Sequence, residues 1–201
     1  MKAKTPEIPL MAIPTIKLPE LHKNTREFFI EYLIKTYNFN EGAELGIWKG
    51  RTFLHLLKSC PSLKLHGVDL WKPQPNNDGP ENYIDWSHEE NEKHVRDNAE
   101  KFNDRAIIYK MWTHEAAQFI PDKSLDFIFI DADHSSESVR NDIEKWLDKI
   151  KNDGMIIGHD YNWETVRTVA DSYFTNLEVG PDNIWFAWKD GRSYAERRTT
   201  Q

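Results

Sequence analysis

Short apolar runs alternate with helically spaced apolar residues along this chain. Residues 125–131 are apolar apart from Asp126 and the final aspartate, a pattern typical of a central strand that is covered on both faces. Residues 136–151 instead carry apolar side chains three and four positions apart, which predicts an amphipathic helix that Gly154 would end. The apolar stripe of this helix consists of Val139, Ile143, Trp146 and Ile150.

The same patterns predict alternating strands and helices over most of the sequence. Strands are predicted at residues 42–47, 63–69, 106–110, 125–131 and 155–158, with a closing antiparallel pair near 177–179 and 184–188. Helices are predicted at residues 24–37, 51–58, 87–102, 136–151 and 163–174, the first of them capped by Asn24 together with Glu27. This alternation predicts an α/β fold with a doubly wound, Rossmann-like sheet of seven strands, mostly parallel with one antiparallel strand, and helices on both faces.

Three segments depart from the alternation and set the expected domain limits. Residues 1–20 form an extended, proline-spaced N-terminal arm, residues 21–190 the α/β domain, and residues 191–201 a polar tail. Within the domain, residues 71–86 form a polar loop that is too long for an ordinary connection. Its aromatic residues Trp71, Tyr83 and Trp86 either close over a ring-shaped ligand or anchor the loop in the core.

Composition narrows the possible function classes. The 201 residues contain 26 Lys and Arg against 33 Asp and Glu, a net charge of −7, which argues against a nucleic-acid or anionic-membrane binder. The single cysteine, Cys60, excludes an internal disulfide framework and a cysteine-based zinc site. No apolar run approaches the ~20 residues that span a bilayer. We therefore expect a cytoplasmic protein, with a homodimer as the candidate assembly.

A glycine turn follows the first predicted strand. Gly46 permits a tight turn, and Gly50 permits close approach of a helix or a ligand to the backbone. Trp48 replaces the central glycine that lets a pyrophosphate reach the backbone in dinucleotide-binding turns, so this turn suits a nucleoside without phosphates. Asp69 ends the second strand, at about the ~20-residue separation expected of an acid that accepts both ribose hydroxyls.

Taken together, residues 25–188 resemble the class I S-adenosylmethionine-dependent methyltransferases. The turn Glu44-Leu45-Gly46-x-x-x-Gly50-x-Thr52 is similar to that of small metal-dependent O-methyltransferases, which include the catechol methyltransferases. The segments Phe-Ile-Asp-Ala-Asp-His-Ser at 129–135 and Gly-His-Asp-Tyr at 158–161 resemble the macrocin-type sugar O-methyltransferases.

This resemblance implies roles for the residues around the turn. Glu44, Gly46 and Gly50 would line the methionine end of S-adenosylmethionine, and Asp69 would take its ribose. The remaining cofactor-binding candidates are Trp48 and Thr52 in the turn, Trp112 and Thr113 near the adenine, and Asp131. Two alternatives stay open, since Glu44 would also serve as a helix cap and Trp112 as a core residue.

Acidic and histidine residues follow the fourth and fifth strands. Asp131 and Asp160 end neighbouring strands and can chelate one hard cation, Mg²⁺ or Mn²⁺, with Asp133 or His159 completing the set. The resemblance implies catalysis by Asp131 and His159 and a general base at His134, where catechol enzymes carry a lysine. His159 departs from the acid-amide pair of those enzymes and favours Mn²⁺ more than an all-oxygen site does. Alternatively, Asp131, Asp133 and His134 merely cap the following helix.

These features predict a divalent-metal-assisted O-methyltransferase that uses S-adenosylmethionine. By analogy with the family, the expected partner is a small-molecule or glycan acceptor that offers a sugar hydroxyl, for example on a deoxyhexose such as rhamnose. The alternatives are a small-phenol or catechol-type O-methyltransferase, a nicotinamide-dependent oxidoreductase, which Trp48 disfavours, and a non-catalytic binding module that has kept the fold.

Overall fold

The computed structural model describes residues 25–72 and 87–193. Seven strands run through these residues: β1 (Glu41–Leu45), β2 (Lys64–Asp69), β3 (Ala106–Lys110), β4 (Leu125–Ile130), β5 (Ile150–Gly158), β6 (Glu178–Val179) and β7 (Trp185–Trp188). The α-helices between them are α1 (Arg26–Tyr37), α2 (Arg51–Ser59), α3 (His88–Ala99), α4 (Thr113–Ala116), α5 (Ser136–Trp146) and α6 (Glu164–Tyr173). Short 3₁₀ turns follow α3, α4 and α5.

The strands form one sheet in the order β3-β2-β1-β4-β5-β7-β6. Strands β1 to β5 pair in parallel, whereas β7 runs antiparallel to both of its neighbours, β5 and β6. The predicted sheet, mostly parallel with one antiparallel strand, is thereby confirmed. Because the chain moves outward from β1 to β2 and β3 and then returns to β4, the strand order reverses between β1 and β4. Ligands of such sheets bind outside the carboxyl ends of the strands at this reversal.

Helices cover both faces of the sheet and create two cores. In β4, Phe127 and Phe129 point to the core under α1, α2 and α3, while Ile128 and Ile130 point to the core under α4, α5 and α6. All four side chains are buried, as the apolar run predicted for a strand covered on both sides. Trp146 and Trp185 are fully buried in the second core.

Several predicted element boundaries were wrong. Thr25, not Asn24, occupies the N-cap position of α1, and its side chain makes no capping hydrogen bond. The helix predicted over 136–151 ends at Trp146, and β5 begins at Ile150, where it pairs with Leu125. Gly154 consequently lies inside β5 rather than at a helix end, and a Cβ there would come within 2.6 Å of the Asp126 carbonyl oxygen. Pairing with β4 decided the structure of this segment.

Several expectations concern residues outside the described ranges. These are the N-terminal arm 1–20, the loop residues 73–86 with Tyr83 and Trp86, and the tail residues 194–201. Among the described helices, none is long and apolar enough to cross a membrane.

Candidate functional site

A groove of about 1330 Å³ lies outside the carboxyl ends of β1, β2, β4 and β5. It is lined by most of the residues that the sequence singled out, namely Glu44, Gly46, Trp48, Thr52, Asp69, Trp112, Thr113, Asp131, Asp133, His134, His159 and Asp160. Gly50 is the exception: it has a left-handed backbone at the N-cap of α2 and faces Val95 of α3. The groove thus occupies the sheet edge at which the strand order reverses.

The glycine turn after β1 is held in an unusual backbone conformation. Gly46 has a φ of +93°, and a Cβ on it would lie 2.1 Å from the Asp131 carbonyl oxygen, so no larger residue fits. Trp48 has a φ of 48°, a left-handed conformation that costs a non-glycine residue ~1–2 kcal/mol. The surrounding structure must therefore stabilise Trp48 in this conformation.

Asp69 provides that stabilisation. Its Oδ2 accepts hydrogen bonds from the backbone N–H groups of Ile47 (2.9 Å) and Trp48 (2.7 Å), and its Oδ1 accepts one from Trp71 (2.7 Å). The indole Nε1 of Trp71 in turn donates to the Trp48 carbonyl oxygen at 2.9 Å. Trp71 is 3% exposed, so of the two roles considered for it, loop anchor is the one that its burial and hydrogen bond support.

These contacts limit what else Asp69 can bind. A carboxylate offers about four acceptor positions, and three are used by backbone N–H groups. One position remains for a ligand, which allows one strong ribose contact in this conformation instead of the expected two. The ribose role itself stays a prediction.

Glu44 is a buried carboxyl group at the floor of the groove. Its residue is 2% exposed, and burial, followed by the neighbouring Asp131 carboxylate, raises its pKa well above the usual value. It accepts a backbone hydrogen bond from Phe53 in the first turn of α2, as the helix-cap alternative expects. Its Oε2, however, has no hydrogen-bond partner among the described residues. A buried acceptor without a partner fits a cationic ligand group such as an α-ammonium.

The opposite end of the groove begins after β3. Trp112 is 40% exposed, so its ring belongs to the groove wall rather than to the core. The Thr113 carbonyl oxygen accepts a hydrogen bond from the indole of Trp146 at 2.9 Å, which fixes the start of α4. Beside it Asp142 of α5 is 1% exposed, and burial raises its pKa to about 7.

Sequence reasoning missed Asp142, although a signal was present. Asp142 lies three residues after Val139 and four before Trp146, on the apolar stripe of α5. A carboxyl group on such a stripe is expected to be buried. Arg26, discussed below, was missed as well, and no sequence pattern marked it.

The acidic cluster brings together residues from β4, β5 and α1. His134 Nε2 lies 2.6 Å from Asp160 Oδ2, and His159 Nδ1 lies 3.0 Å from the same oxygen and 3.3 Å from Asp131 Oδ1. Arg26 Nη1 lies 3.4 Å from Asp131 Oδ2. Asp131 and Asp160 therefore meet at adjacent strand ends, the juxtaposition that the sequence predicted.

The charges of this cluster shift its proton equilibria. Burial lowers the pKa of His159, but hydrogen bonds and charges from Asp131 and Asp160 outweigh burial and raise it to about 9. Burial also lowers the pKa of His134, but the hydrogen bond and the charge of Asp160 outweigh burial, so the pKa of His134 is raised as well. Burial acts to raise the pKa of Asp160, but the two histidines hold it well below the usual range. Together with the Arg26 guanidinium, the imidazoles supply the positive charge that stabilises these carboxylates.

The donor set fits a divalent metal ion. One ligand atom each from Asp131, His134 and Asp160 lie within 4.8 Å of one another. His134 Nε2 is buried and has no partner of hydrogen-bond geometry among the described residues, despite its closeness to Asp160. Two carboxylates and an imidazole suit Mg²⁺ or Mn²⁺ once the imidazole is neutral. This set contains His134, whereas the sequence suggested His159 as the third ligand.

Asp133 has a different role from its neighbours. Its Oδ1 accepts a hydrogen bond from the Ser135 backbone N–H at 2.8 Å, and Ser135 is the N-cap of α5. Helix capping, the alternative considered for the whole segment, thus describes Asp133. Asp131 makes its contacts with Arg26 and His159 instead.

Comparison with known proteins gives a family and a fold. Residues 43–161 match a family model described as a methyltransferase domain. No curated protein matches the chain.

Solved structures match over most of the chain. The O-methyltransferase NovP shares 18% identity at a TM-score of 0.62, covering 83% of this chain and 80% of that one. Cofactor-bound Rv0187 from MTB shares 14% identity at a TM-score of 0.61, covering 90% and 84%. An O-methyltransferase from Bacillus cereus in complex with SAH shares 16% at a TM-score of 0.57, covering 87% and 83%. At these identities the likeness is one of fold.

Proposed function

The chain belongs to the methyltransferase domain family that its residues 43–161 match, and from that premise we propose that it is an S-adenosylmethionine-dependent O-methyltransferase that methylates a sugar hydroxyl with the help of a divalent metal ion. A deoxyhexose such as rhamnose is the proposed acceptor. One observation carries the proposal: a single groove is lined by the buried Glu44 carboxyl, whose Oε2 has no partner among the described residues, and by a cluster of two carboxylates and two imidazoles. The cluster consists of Asp131, His134, His159 and Asp160.

The donor end of the groove suits a nucleoside with a charged amino-acid portion. When bound there, S-adenosylmethionine supplies a methyl group already activated by its sulfonium. Glu44 would accept hydrogen bonds from the α-ammonium, and the free acceptor position of Asp69 would take a ribose hydroxyl. The half-exposed Trp112 ring offers a face for the adenine. The structural neighbour from Bacillus cereus was solved with SAH, which is consistent with this assignment.

The other end would hold the metal ion and the acceptor. Asp131 and Asp160, with one imidazole, would bind the ion, which when bound lowers the pKa of a coordinated hydroxyl. The second imidazole then takes the hydroxyl proton. We assign this base role to His134, because its side chain is 28% exposed against 10% for His159, and to His159 the ligand role. The reverse assignment is favoured by the interatomic distances of the cluster.

The two assignments differ in measurable ways. If His134 is the base, His134→Ala lowers the rate at neutral pH, with partial recovery at high pH, and leaves the affinity for Mn²⁺ unchanged. If His134 is a ligand, the same variant weakens Mn²⁺ binding. Titration of the purified variants with Mn²⁺ alone separates the two.

A tryptophan beside the cluster supports a ring-shaped acceptor. Trp163 is 46% exposed, lines the groove, and its ring centroid lies 4.8 Å from that of His134. The apolar face of a sugar ring packs on such an indole next to the base. A phenol or catechol would stack there equally well, so the small-phenol O-methyltransferase is the second candidate, and the preference for a sugar rests on the sequence resemblance. Family membership sets aside the nicotinamide-dependent oxidoreductase.

A methyl-transfer assay tests the proposal. Labelled S-adenosylmethionine is offered with a panel of deoxyhexoses and catechols, with and without chelator. We expect transfer to a sugar hydroxyl that chelator abolishes and Mg²⁺ or Mn²⁺ restores. Full activity in excess chelator would remove the metal from the proposal, and transfer to catechols alone would select the second candidate. Asp131→Ala and Asp160→Ala should abolish turnover while SAH still binds in calorimetry, which shows that the variants are folded.

A further inference from the structure

An arginine from α1 lines the groove next to Thr52 and Asp131. Arg26 is the first residue of α1, and its backbone N–H donates to Asp182 Oδ2 at 3.1 Å, which ties the start of the helix to the turn before β7. Its side chain is 21% exposed and lines the groove beside Thr52 of α2 and Asp131. The guanidinium therefore comes from outside the sheet and is fixed at its backbone end.

Toward the described residues, the guanidinium of Arg26 makes several loose contacts rather than one tight pair. Nε lies 3.4 Å from Thr52 Oγ1, and Nη1 lies 3.4 Å from both Asp131 Oδ2 and His159 Nδ1. Charge-assisted hydrogen bonds between a guanidinium and a carboxylate are usually shorter, at ~2.7–2.9 Å. An arginine held in this way keeps its planar fork of donors available for a better acceptor.

Arg26 also lies within electrostatic reach of Glu44. The positive charge of Arg26 favours the ionised form of the buried Glu44 carboxyl, whereas the negative charges of Asp131 and Asp69 disfavour it. The groove is therefore lined both by a carboxyl oxygen that has no partner among the described residues and by a guanidinium donor. An α-amino acid carries the complementary pair on one carbon, an ammonium and a carboxylate.

We propose that Arg26 binds the α-carboxylate of the methionine portion of the methyl donor while Glu44 binds its α-ammonium. The inference rests on the proposed function and adds a residue that determines donor specificity. A guanidinium matches a carboxylate with two parallel N–H···O bonds, a geometry that the compact ammonium of lysine does not reproduce.

Two ligands that differ by one group test this pairing. S-adenosylmethionine and its decarboxylated form share the adenosine, the sulfonium and the amine, and differ in the carboxylate alone. Calorimetry on the full chain should show that Arg26→Ala weakens S-adenosylmethionine on the order of 10- to 100-fold, as loss of a charge-assisted pair predicts. Binding of the decarboxylated ligand should not change. Arg26→Lys should give an intermediate loss for S-adenosylmethionine alone.

Matched variants define the controls. Arg51 also lines the groove, but its guanidinium is bonded to Glu27 Oε1 through Nε and Nη2 at 3.1 and 2.8 Å, so Arg51→Ala should leave both affinities as they are. Glu44→Gln should weaken both ligands, since both keep the amine.

Each remaining outcome overturns a defined part of the reasoning. Equal weakening of both ligands by Arg26→Ala would mean that Arg26 only shapes the site, and no weakening would remove it from donor binding. Carboxylate-selective loss in Arg51→Ala would transfer the role to Arg51. If the unaltered protein binds neither ligand, the proposed function fails, and the role of Arg26 fails with it.

Discussion

The buried carboxyl of Asp142 should make the stability of this protein fall as the pH rises. Asp142 is 1% exposed, and neither of its oxygens has a partner of hydrogen-bond geometry among the described residues. Burial raises its pKa from 3.8 to about 7, the Asp133 carboxylate adds to the effect, and the Thr113 side chain opposes it. The folded state therefore holds a proton that the unfolded state releases near pH 4.

The sign and size of the effect follow from this difference. Between the two pKa values the folded state binds more protons, so the free energy of unfolding decreases with pH, from its full value below pH ~4 to its lowest above pH ~7. At ~1.4 kcal/mol per pH unit, the interval from 3.8 to about 7 corresponds to a loss of ~4 kcal/mol. Asp142→Asn replaces the acid by a neutral side chain of the same shape and removes this loss.

Urea unfolding of the ligand-free protein at a series of pH values measures this pH dependence of the free energy of unfolding. We expect Asp142→Asn to match the unaltered protein near pH 4 and to become more stable than it as the pH rises past 7. Asp148→Asn, at an exposed position just after α5, is the matched control and should stay parallel to the unaltered protein. If the Asp142→Asn curve also stays parallel, the carboxyl is either solvated or paired in the folded state, and the reasoning from its burial is refuted.

Four further variants test the groove. Gly46→Ala places a methyl group 2.1 Å from the Asp131 carbonyl oxygen and should both lower the melting temperature and abolish SAH binding. Gly191→Ala, with a φ of +75° and no described atom within 4 Å, should cost only ~1 kcal/mol of unfolding free energy. Similar melting temperatures for the two variants would contradict this. Asp69→Asn turns an amide NH₂ toward a backbone donor and should lower the free energy of unfolding by ~1–3 kcal/mol in urea unfolding. An unchanged midpoint would show that the hydrogen bonds of Asp69 do not stabilise the turn after β1. Trp163→Ala should raise the acceptor KM about tenfold, as lost stacking of ~1.4 kcal/mol predicts, and spare SAH affinity. Trp112→Ala should do the opposite, and identical effects of the two would disprove separate donor and acceptor ends.

The sheet could be predicted from the sequence because its central strands are buried on both faces. A run such as residues 125–131 has one favourable environment, between two layers of helices. The common location of the candidate site residues that follow β2, β4 and β5 was part of the same prediction, since parallel strands present their carboxyl ends at one edge of the sheet. Asp131 and Asp160 were expected to meet for that reason, and their contacts with His159 bear this out.

What the sequence did not reveal depends on packing between distant segments. The start of β5 at Ile150 is set by pairing with Leu125, which the polar residues 151–153 concealed. The sequence offered only a ligand contact for Asp69, because it does not show the hydrogen bonds of Asp69 to the turn after β1. Those hydrogen bonds exist only once β1 and β2 are aligned. Arg26 reads as an ordinary polar residue at a helix start, and only the docking of α1 against α2 brings its guanidinium to Thr52.

The spacing between the two ends of the groove is a property of the main chain. The Asp131 N–H donates to the Leu45 carbonyl oxygen at 2.8 Å, the Gly46 N–H donates to that of Val68 at 2.8 Å, and the absent side chain of Gly46 lets these peptides touch. These backbone contacts thereby fix the distance between the turn after β1 and the end of β4. Under the proposed function, substitutions at Trp163 would change acceptor preference without moving these backbone contacts.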